Sequence, residues 1–295
     1  MDEPVATRRV LIVANPKARG YAPRKIEAVR DALSRWKIEV ECALSMARGD
    51  IEIIVAERAA KFDVIAVHGG DGTINEAVAG LRALDDTMPA LAIIPGGTAN
   101  VLAIETHAAR DAAQIAAAIR AGRTAPLYYG LANGRPFVLM ASAGLDAAVV
   151  AGTSPQLKSR IGKWAYIATA LRQKRRAHTP DLIVTAGGER LQCRLAICAN
   201  TARYGGNFVI APQTSATQPG FALVAVTDDS LLSLLRIGRR MMSGRGIAGA
   251  GVRILPIDEA TIAAAGPTAA QVDGDSFGTT PVETRAAATP LRLIV

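Results

Sequence analysis

The sequence is short of aromatic residues, with Phe, Trp and Tyr together at 4% of 295 residues, although half of the chain is apolar. Its cores must therefore be built mainly from Ala, Val, Leu and Ile, which suits an α/β protein and excludes the composition of a disordered chain. Cysteine is also scarce. Cys42, Cys193 and Cys198 have neither metal-ligand spacing nor an even count, so they read as reduced, mostly buried thiols. No stretch approaches the roughly 20 apolar residues that a membrane-spanning helix needs. Met1-Asp2-Glu3-Pro4 lacks the charged and apolar regions of a secretion signal, and the expected location is the cytoplasm. The three histidines, His68, His107 and His178, are far apart and differ in context, so they are not read as a ligand set; His68 reads as packing beside a turn. Also missing are the Gly-x-x-x-x-Gly-Lys-Ser/Thr loop, the Gly-x-Gly-x-x-Gly fingerprint, and zinc-finger, RNP or basic-zipper motifs, so no nucleic-acid partner is expected.

What is present is organised in two parts. The formal charge is +8, yet residues 1–132 hold 16 Lys+Arg against 16 Asp+Glu, whereas residues 133–295 hold 18 against 10. The whole excess lies in the second part, which could face anionic lipid, nucleic acid or solvent. The first part alternates apolar runs and amphipathic stretches. Strands are expected at 9–14, 38–43, 63–67 and 90–94, and helices at 23–36, 50–61, 73–84, 98–105 and 111–121. That rhythm predicts a parallel sheet covered on both faces. From about Pro126 the pattern changes. Leu127–Ala132 and Arg135–Ser142 flank Asn133-Gly134, and 179–185 and 190–199 flank Gly187-Gly188, both suited to two-residue hairpin turns. Further strands are expected at 221–227, 251–257, 269–273 and 291–295, with helices at 161–176 and 231–243. The boundary is placed at 132/133, and the last strand, 291–295, is left open to return to the first domain.

Three strand-to-helix turns carry the chemistry. The first is Asn15-Pro16-Lys17-Ala18-Arg19-Gly20, the second Gly69-Gly70-Asp71-Gly72-Thr73, and the third Pro95-Gly96-Gly97-Thr98-Ala99-Asn100. In a parallel sheet all three lie at the carboxyl edge, where open α/β folds bind ligands. Glycines let a phosphate approach backbone N–H groups at a helix N-terminus. Thr73 and Glu76 have the spacing of a capping box that would open the next helix. Asp71 is too acidic to bind phosphate and reads as a contact to magnesium or a nucleotide hydroxyl. Two basic stretches, Lys158–Arg176 and Leu231–Arg245, read either as contacts to anionic headgroups or as solvated and core-packed helices.

The stretch HGGDGTINEAVAGL at 68–81 resembles the signature of diacylglycerol kinase catalytic domains, sphingosine kinases and related bacterial lipid kinases; NAD kinases share its Gly-Gly-Asp-Gly core. Asn15-Pro16, IPGGTANVLA at 94–103, FVLMASAGLDA at 137–147, Gly162-Lys163-x-x-Tyr166 and Val272-Asp273-Gly274-Asp275 resemble that family's other segments. The resemblance implies an N-terminal three-layer α/β nucleotide-binding domain (1–132) and a C-terminal β-rich, antiparallel, sandwich-like lipid-substrate domain (133–295). It further implies ATP and Mg²⁺ as cofactors, a lipid acceptor, and peripheral contact at the inner face of the membrane. By motif, Asn15, Gly69, Gly70, Asp71, Gly72, Thr73, Glu76, Gly97, Thr98 and Asn100 bind nucleotide. Asp71 and Asp273 hold metal, and Asp275 accepts the hydroxyl proton, with Asp71 as the second choice for base. Where the family has Glu as proposed base, this chain has Asp275. A segment that holds a structural magnesium in many bacterial members reads Pro219-Gly220-Phe221-Ala222-Leu223 here, without its carboxylates. Read without the resemblance, Asp273-Gly274-Asp275 is a plain β-turn. An NAD kinase-like enzyme and a non-catalytic binding protein of the same fold are the alternatives.

Overall fold

A computed structural model describes residues 6–84, 88–144, 181–244, 246–249 and 251–295. The expected helix at 161–176, the Gly162-Lys163-x-x-Tyr166 segment and the basic stretch Lys158–Arg176 lie outside these residues. The chain divides into two compact units. One is Met1–Tyr128 with Ala216–Gln218 and Ala288–Val295, and the other is Tyr129–Ser215 with Pro219–Ala287.

The first unit runs β1 (Arg9–Ala14), α1 (Pro23–Arg35), β2 (Glu39–Leu44), α2 (Asp50–Arg58), β3 (Val64–Gly69), α3 (Asp71–Leu81), β4 (Ala90–Pro95), α4 (Val101–Glu105), α5 (Ala112–Ala121) and β5 (Thr124–Leu127). Proline in the first turn of α1 fixes a helical φ where no N–H bond is lost, and Ile26, Val29 and Leu33 turn one apolar face inward. Asp111 caps α5 by accepting from Ala113 and Gln114 N–H, and Gly122, at φ 65°, ends it.

Val10, Ile12, Val64, Ala66, Ala92 and Ile94 cover one sheet face under α1 and α5. The alternate residues Leu11, Val13, Ile65, Val67 and Leu91 are equally buried. α2 and α3 pack on each other and α3 on β3, so closely that a Cβ on Gly80 would stand 2.5 Å from the Glu52 carbonyl oxygen. Burial on both faces explains why these strands read as unbroken apolar runs. Each fully buried Leu or Ile contributes about 1.5–3 kcal/mol.

The second unit contains β6 (Gly130–Ala132), β7 (Arg135–Phe137), β8 (Met140–Gly144), β9 (Leu182–Ala186), β10 (Glu189–Cys193), β11 (Leu195–Ala199), β12 (Arg203–Tyr204), β13 (Phe208–Val209), β14 (Phe221–Val226), α6 (Leu231–Met242), β15 (Val252–Ile257), β16 (Glu259–Ala264), β17 (Ala269–Val272), β18 (Asp275–Thr279) and β19 (Val282–Ala286). The chain ends in β20 (Leu291–Ile294), which joins the first unit's sheet. That sheet has the order β2-β1-β3-β4-β20-β5. β20 runs parallel to β4 and antiparallel to β5, so the sheet is mixed at one edge rather than purely parallel.

Two six-stranded antiparallel sheets, β10-β9-β16-β19-β6-β7 and β15-β14-β11-β8-β17-β18, enclose a shared core that includes Phe137, Ala141, Leu182, Val184, Phe221 and Leu223. Phe137 and Phe221 meet edge to face at 5.7 Å between centroids. The compact unit starts at Tyr129, and Gly130–Ala132 pairs with β19 inside this sandwich. Asn133 (φ 44°) and Gly134 (φ 82°) form the expected hairpin turn, as do Gly187 (φ 55°) and Gly188 (φ 79°). The single strand expected at 135–142 is instead broken, since β7 belongs to one sheet and β8 to the other. Among the cysteines, Cys193 and Cys198 are buried and burial pushes their thiols up to about 12 and about 11, whereas Cys42 is exposed.

Candidate functional site

The three turns of the first unit close on one another through their glycines. A Cβ on Gly20 would overlap the Gly96 carbonyl, and one on Gly97 would overlap the Gly70 Cα. Asn15 N–H donates to the His68 carbonyl at 3.3 Å, and Gly96 N–H to the Gly69 carbonyl at 2.9 Å. Asn15 itself folds the first turn, its Oδ1 accepting Lys17 N–H at 2.9 Å. Asn100 does the same for the third, accepting from Gly97 N–H at 2.7 Å and donating to Gly97 O at 2.8 Å from a left-handed backbone (φ 47°). Gly72 and Thr98 are exposed. By helix geometry the first-turn amides of α3, at Gly72 and Thr73, have no intrahelical acceptor.

The capping box expected at Thr73 and Glu76 does not form. α3 starts two residues earlier, with Gly70 as its N-cap and no side-chain cap. The Thr73 side chain folds back over Gly69, where a Cβ would lie 2.5 Å from its Oγ1. Glu76 instead reaches the start of α2, accepting from the backbone N–H groups of Gly49 and Ile51; burial raises its pKa, and those two bonds oppose the rise. Its position one turn into α3 explains this, since a helix projects side chains toward neighbouring elements as readily as toward its own cap.

Asp71 also binds backbone. Its Oδ2 accepts Val101 N–H at 3.1 Å and its Oδ1 accepts Leu102 N–H at 3.0 Å, which caps α4. Burial raises its pKa, while the Leu102, Val101 and Asp71 amides hold it down. The acid of the second turn therefore locks the third in place.

His68, read from sequence as packing, proves to be a second lock. It is fully buried; Nδ1 lies 3.1 Å from Ile94 O, and Nε2 accepts Ala22 N–H at 3.0 Å, so the ring joins β4 to the N-cap of α1. That pairing requires the neutral ring with its proton on Nδ1. Burial lowers the His68 pKa most, and Lys25 lowers it further against the bond to Ile94. A proton thus binds the unfolded chain more readily than the folded one. The stability His68 provides is complete above about pH 6.5 and declines as pH falls below that value toward the folded pKa. Between pH 7.5 and 5.5 the wild type should lose up to about 1.4 kcal/mol more than His68→Asn, which cannot titrate. Parallel melting curves of stability against pH for the two proteins would refute this assignment.

In the second unit, Asp273 (φ 50°) and Gly274 (φ 86°) form a two-residue hairpin turn between β17 and β18, with Val272 opposite Asp275. The Asp273 carboxylate accepts three backbone N–H groups: Val138 at 2.8 Å on Oδ2, and Leu139 and Met140 at 2.9 Å each on Oδ1. These residues span the joint where the chain leaves β7 for β8. Gln271 Oε1 accepts Gly274 N–H at 2.7 Å and its Nε2 donates to buried Ser142 at 2.8 Å, which braces the same turn from behind. Asp275, partly buried, is the first residue of β18. Asp71 and Asp273 thus lie in different units and each holds backbone amides. Among the described residues no three His, Cys, Asp or Glu side chains gather to hold a metal ion.

Comparison with known proteins follows this division. Residues 9–132 match the model of the diacylglycerol kinase catalytic domain, and residues 140–295 match that of the YegS C-terminal NAD kinase beta sandwich-like domain. The chain is 27% identical to the diacylglycerol kinase of Bacillus subtilis (strain 168), over 81% of this chain and 80% of that one. It is 31% identical to "Probable lipid kinase YegS-like" of Pseudomonas aeruginosa (strain UCBPP-PA14), over 83% and 80%. The fold is shared with the crystal structure of a diacylglycerol kinase from Bacillus anthracis str. Sterne, at a TM-score of 0.75 and 20% identity over 98% of this chain and 97% of that one. A second structure from that organism gives a TM-score of 0.82 at 23% identity, over 98% and 95%. The chain belongs to the family of bacterial diacylglycerol kinases and YegS-like lipid kinases.

Proposed function

We propose that the protein transfers the γ-phosphate of ATP to a hydroxyl of a membrane lipid, such as diacylglycerol or a sphingoid base, at the cytoplasmic face of a membrane. The observation that carries this reading is the closure of three glycine turns on one another, which leaves a cradle of open space over Gly72, beside the exposed Thr98 and the first-turn amides of α3 that have no intrahelical acceptor. A nucleotide fits such a cradle, since its phosphates need backbone N–H donors and room where a Cβ would stand.

Bound ATP supplies the phosphoryl group, and phosphoryl transfer asks the protein mainly for positioning and charge neutralisation. Gly72 keeps the cradle open, Gly69, Gly70 and Gly97 let the turns close around it, and Asn15 and Asn100 hold the first and third turns in shape. Asp71 and His68 act through these turns as positioning residues. Thr73 contributes its amide and packs its side chain on Gly69. Asp275 accepts the proton of the attacking hydroxyl. A magnesium held by Asp71 and Asp273 does not fit the observed bonding of either carboxylate, so no step is assigned to a protein-held metal.

The test is transfer from labelled ATP to detergent-dispersed lipids, with NAD as the competing acceptor and the product identified by mass. Label is expected in one or more lipids and not in NAD. Label in NAD alone, or in nothing, would remove the proposal.

A further inference from the structure

We infer that α6 docks the protein on an anionic bilayer, lying flat with its Leu232–Arg239 face in the headgroup layer. One face of the helix turns inward, with Leu234, Ile237 and Met241 partly buried, yet apolar residues also stand on the opposite face. Ser233 is 2% exposed, whereas Leu232 and Leu235 are 67% and 54% exposed. At about 100° per residue, Leu232, Leu235, Arg236 and Arg239 fall within an arc of about 100°. Arg236 and Arg239 are exposed too, and neither forms an ion pair among the described residues. No Asp or Glu occurs from Leu231 to Gly244. Two acids, Asp228 and Asp229, precede the helix; Asp228 is engaged with the N–H and hydroxyl of Ser230, whose Oγ in turn caps the helix. The helix is therefore well started, packs on β13 and presents a stripe of two leucines and two cations.

This stripe suits one kind of surface. Leucine side chains gain by entering the acyl boundary, while arginines beside them reach anionic headgroups. A second copy of the chain suits it poorly, because a two-fold contact through this face would bring four arginines together without an acid. At 12 residues the helix is far too short to cross a membrane, so it can only lie in the interface. The inference rests on the lipid-kinase reading for its purpose, which is to bring the chain to a substrate that stays in the bilayer. Its physics is independent of that reading.

The experiment is co-sedimentation of the full chain with vesicles of phosphatidylcholine, alone or mixed with phosphatidylglycerol, alongside turnover on a bilayer lipid and on a water-soluble short-chain diacylglycerol. Leu232→Ser with Leu235→Ser, and separately Arg236→Gln with Arg239→Gln, should each lower binding to the acidic vesicles on the order of tenfold. All four side chains are on the surface, so the melting temperature should not move. Short-chain turnover should match the parent's while bilayer turnover falls. Parent-like vesicle binding by both variants would overturn the inference. So would equal binding of the parent to neutral and acidic vesicles, or a leucine variant that dissociates a dimer while still binding vesicles. If the variants lose vesicle binding and the parent phosphorylates no lipid, docking stands and the kinase reading fails.

Discussion

Asp273→Ala is expected to destabilise the second unit by about 2–4 kcal/mol. Hydrogen bonds from backbone amides to a charged acceptor contribute about 1.5–3 kcal/mol each, although bonds sharing one acceptor do not add in full. Alanine would leave the amides of Val138, Leu139 and Met140 without their acceptor at the joint between the two sheets. It would also place a Cβ-bearing residue at φ 50° without the side chain that makes asparagine and aspartate tolerable there. Asp273→Asn keeps one acceptor oxygen and the turn preference, so its loss should be smaller. Thermal unfolding and amide exchange at 138–140 measure both effects. An alanine variant with parental stability and parental protection of those amides would show that the carboxylate does not hold the joint.

The same residue shows where the sequence was legible and where it was not. The apolar runs within 9–14, 63–67 and 90–94 announce strands buried on both faces, and Asn133-Gly134 and Gly187-Gly188 announce hairpins, because each depends on neighbours only a few residues away. β16, β18 and β19 escaped notice because polar residues interrupt them, as in Val282-Glu-Thr-Arg-Ala, where only every second residue meets the core. The break between β7 and β8 was equally hidden. It is set by a carboxylate more than 130 positions away, and no local pattern carries that information.

The turns illustrate the same limit at the site. Their glycines were readable from sequence, and the close approaches at Gly20, Gly70, Gly96 and Gly97 give the physical reason for them. The acids among them were not. Thr73 and Glu76 have capping-box spacing, yet the helix begins earlier and Glu76 serves α2. Asp71, about 30 residues before α4, caps that helix across space. An acidic residue in a glycine turn signals that something with N–H groups or positive charge sits opposite. Sequence alone does not say whether that partner is a ligand or the protein's own backbone.

Asp275→Asn should lower the turnover rate by a factor on the order of 10² to 10⁴ with little change in ATP binding, if this carboxylate accepts the proton of the lipid hydroxyl. The substitution keeps the size of the side chain and removes only its basicity. A general base must come within about 2.6–3.2 Å of its proton donor, directly or through one water, so placement decides as much as chemistry. Here placement is rigid. Asp275 follows a two-residue turn whose backbone is fixed by Asp273 on one side and Gln271 on the other, and it enters β18 directly opposite Val272. A short side chain on so firm a mount can serve where a longer one on a looser mount would also serve. That makes Asp275→Glu the informative companion. If the site is shaped for aspartate, the extra methylene should leave turnover equal or lower. A rise with glutamate would mean that the aspartate reaches its substrate poorly. Normal turnover in Asp275→Asn, with ATP binding unchanged, would take the proton transfer away from this residue and leave Asp71, held at α4 with its pKa raised by burial, as the carboxylate to test next.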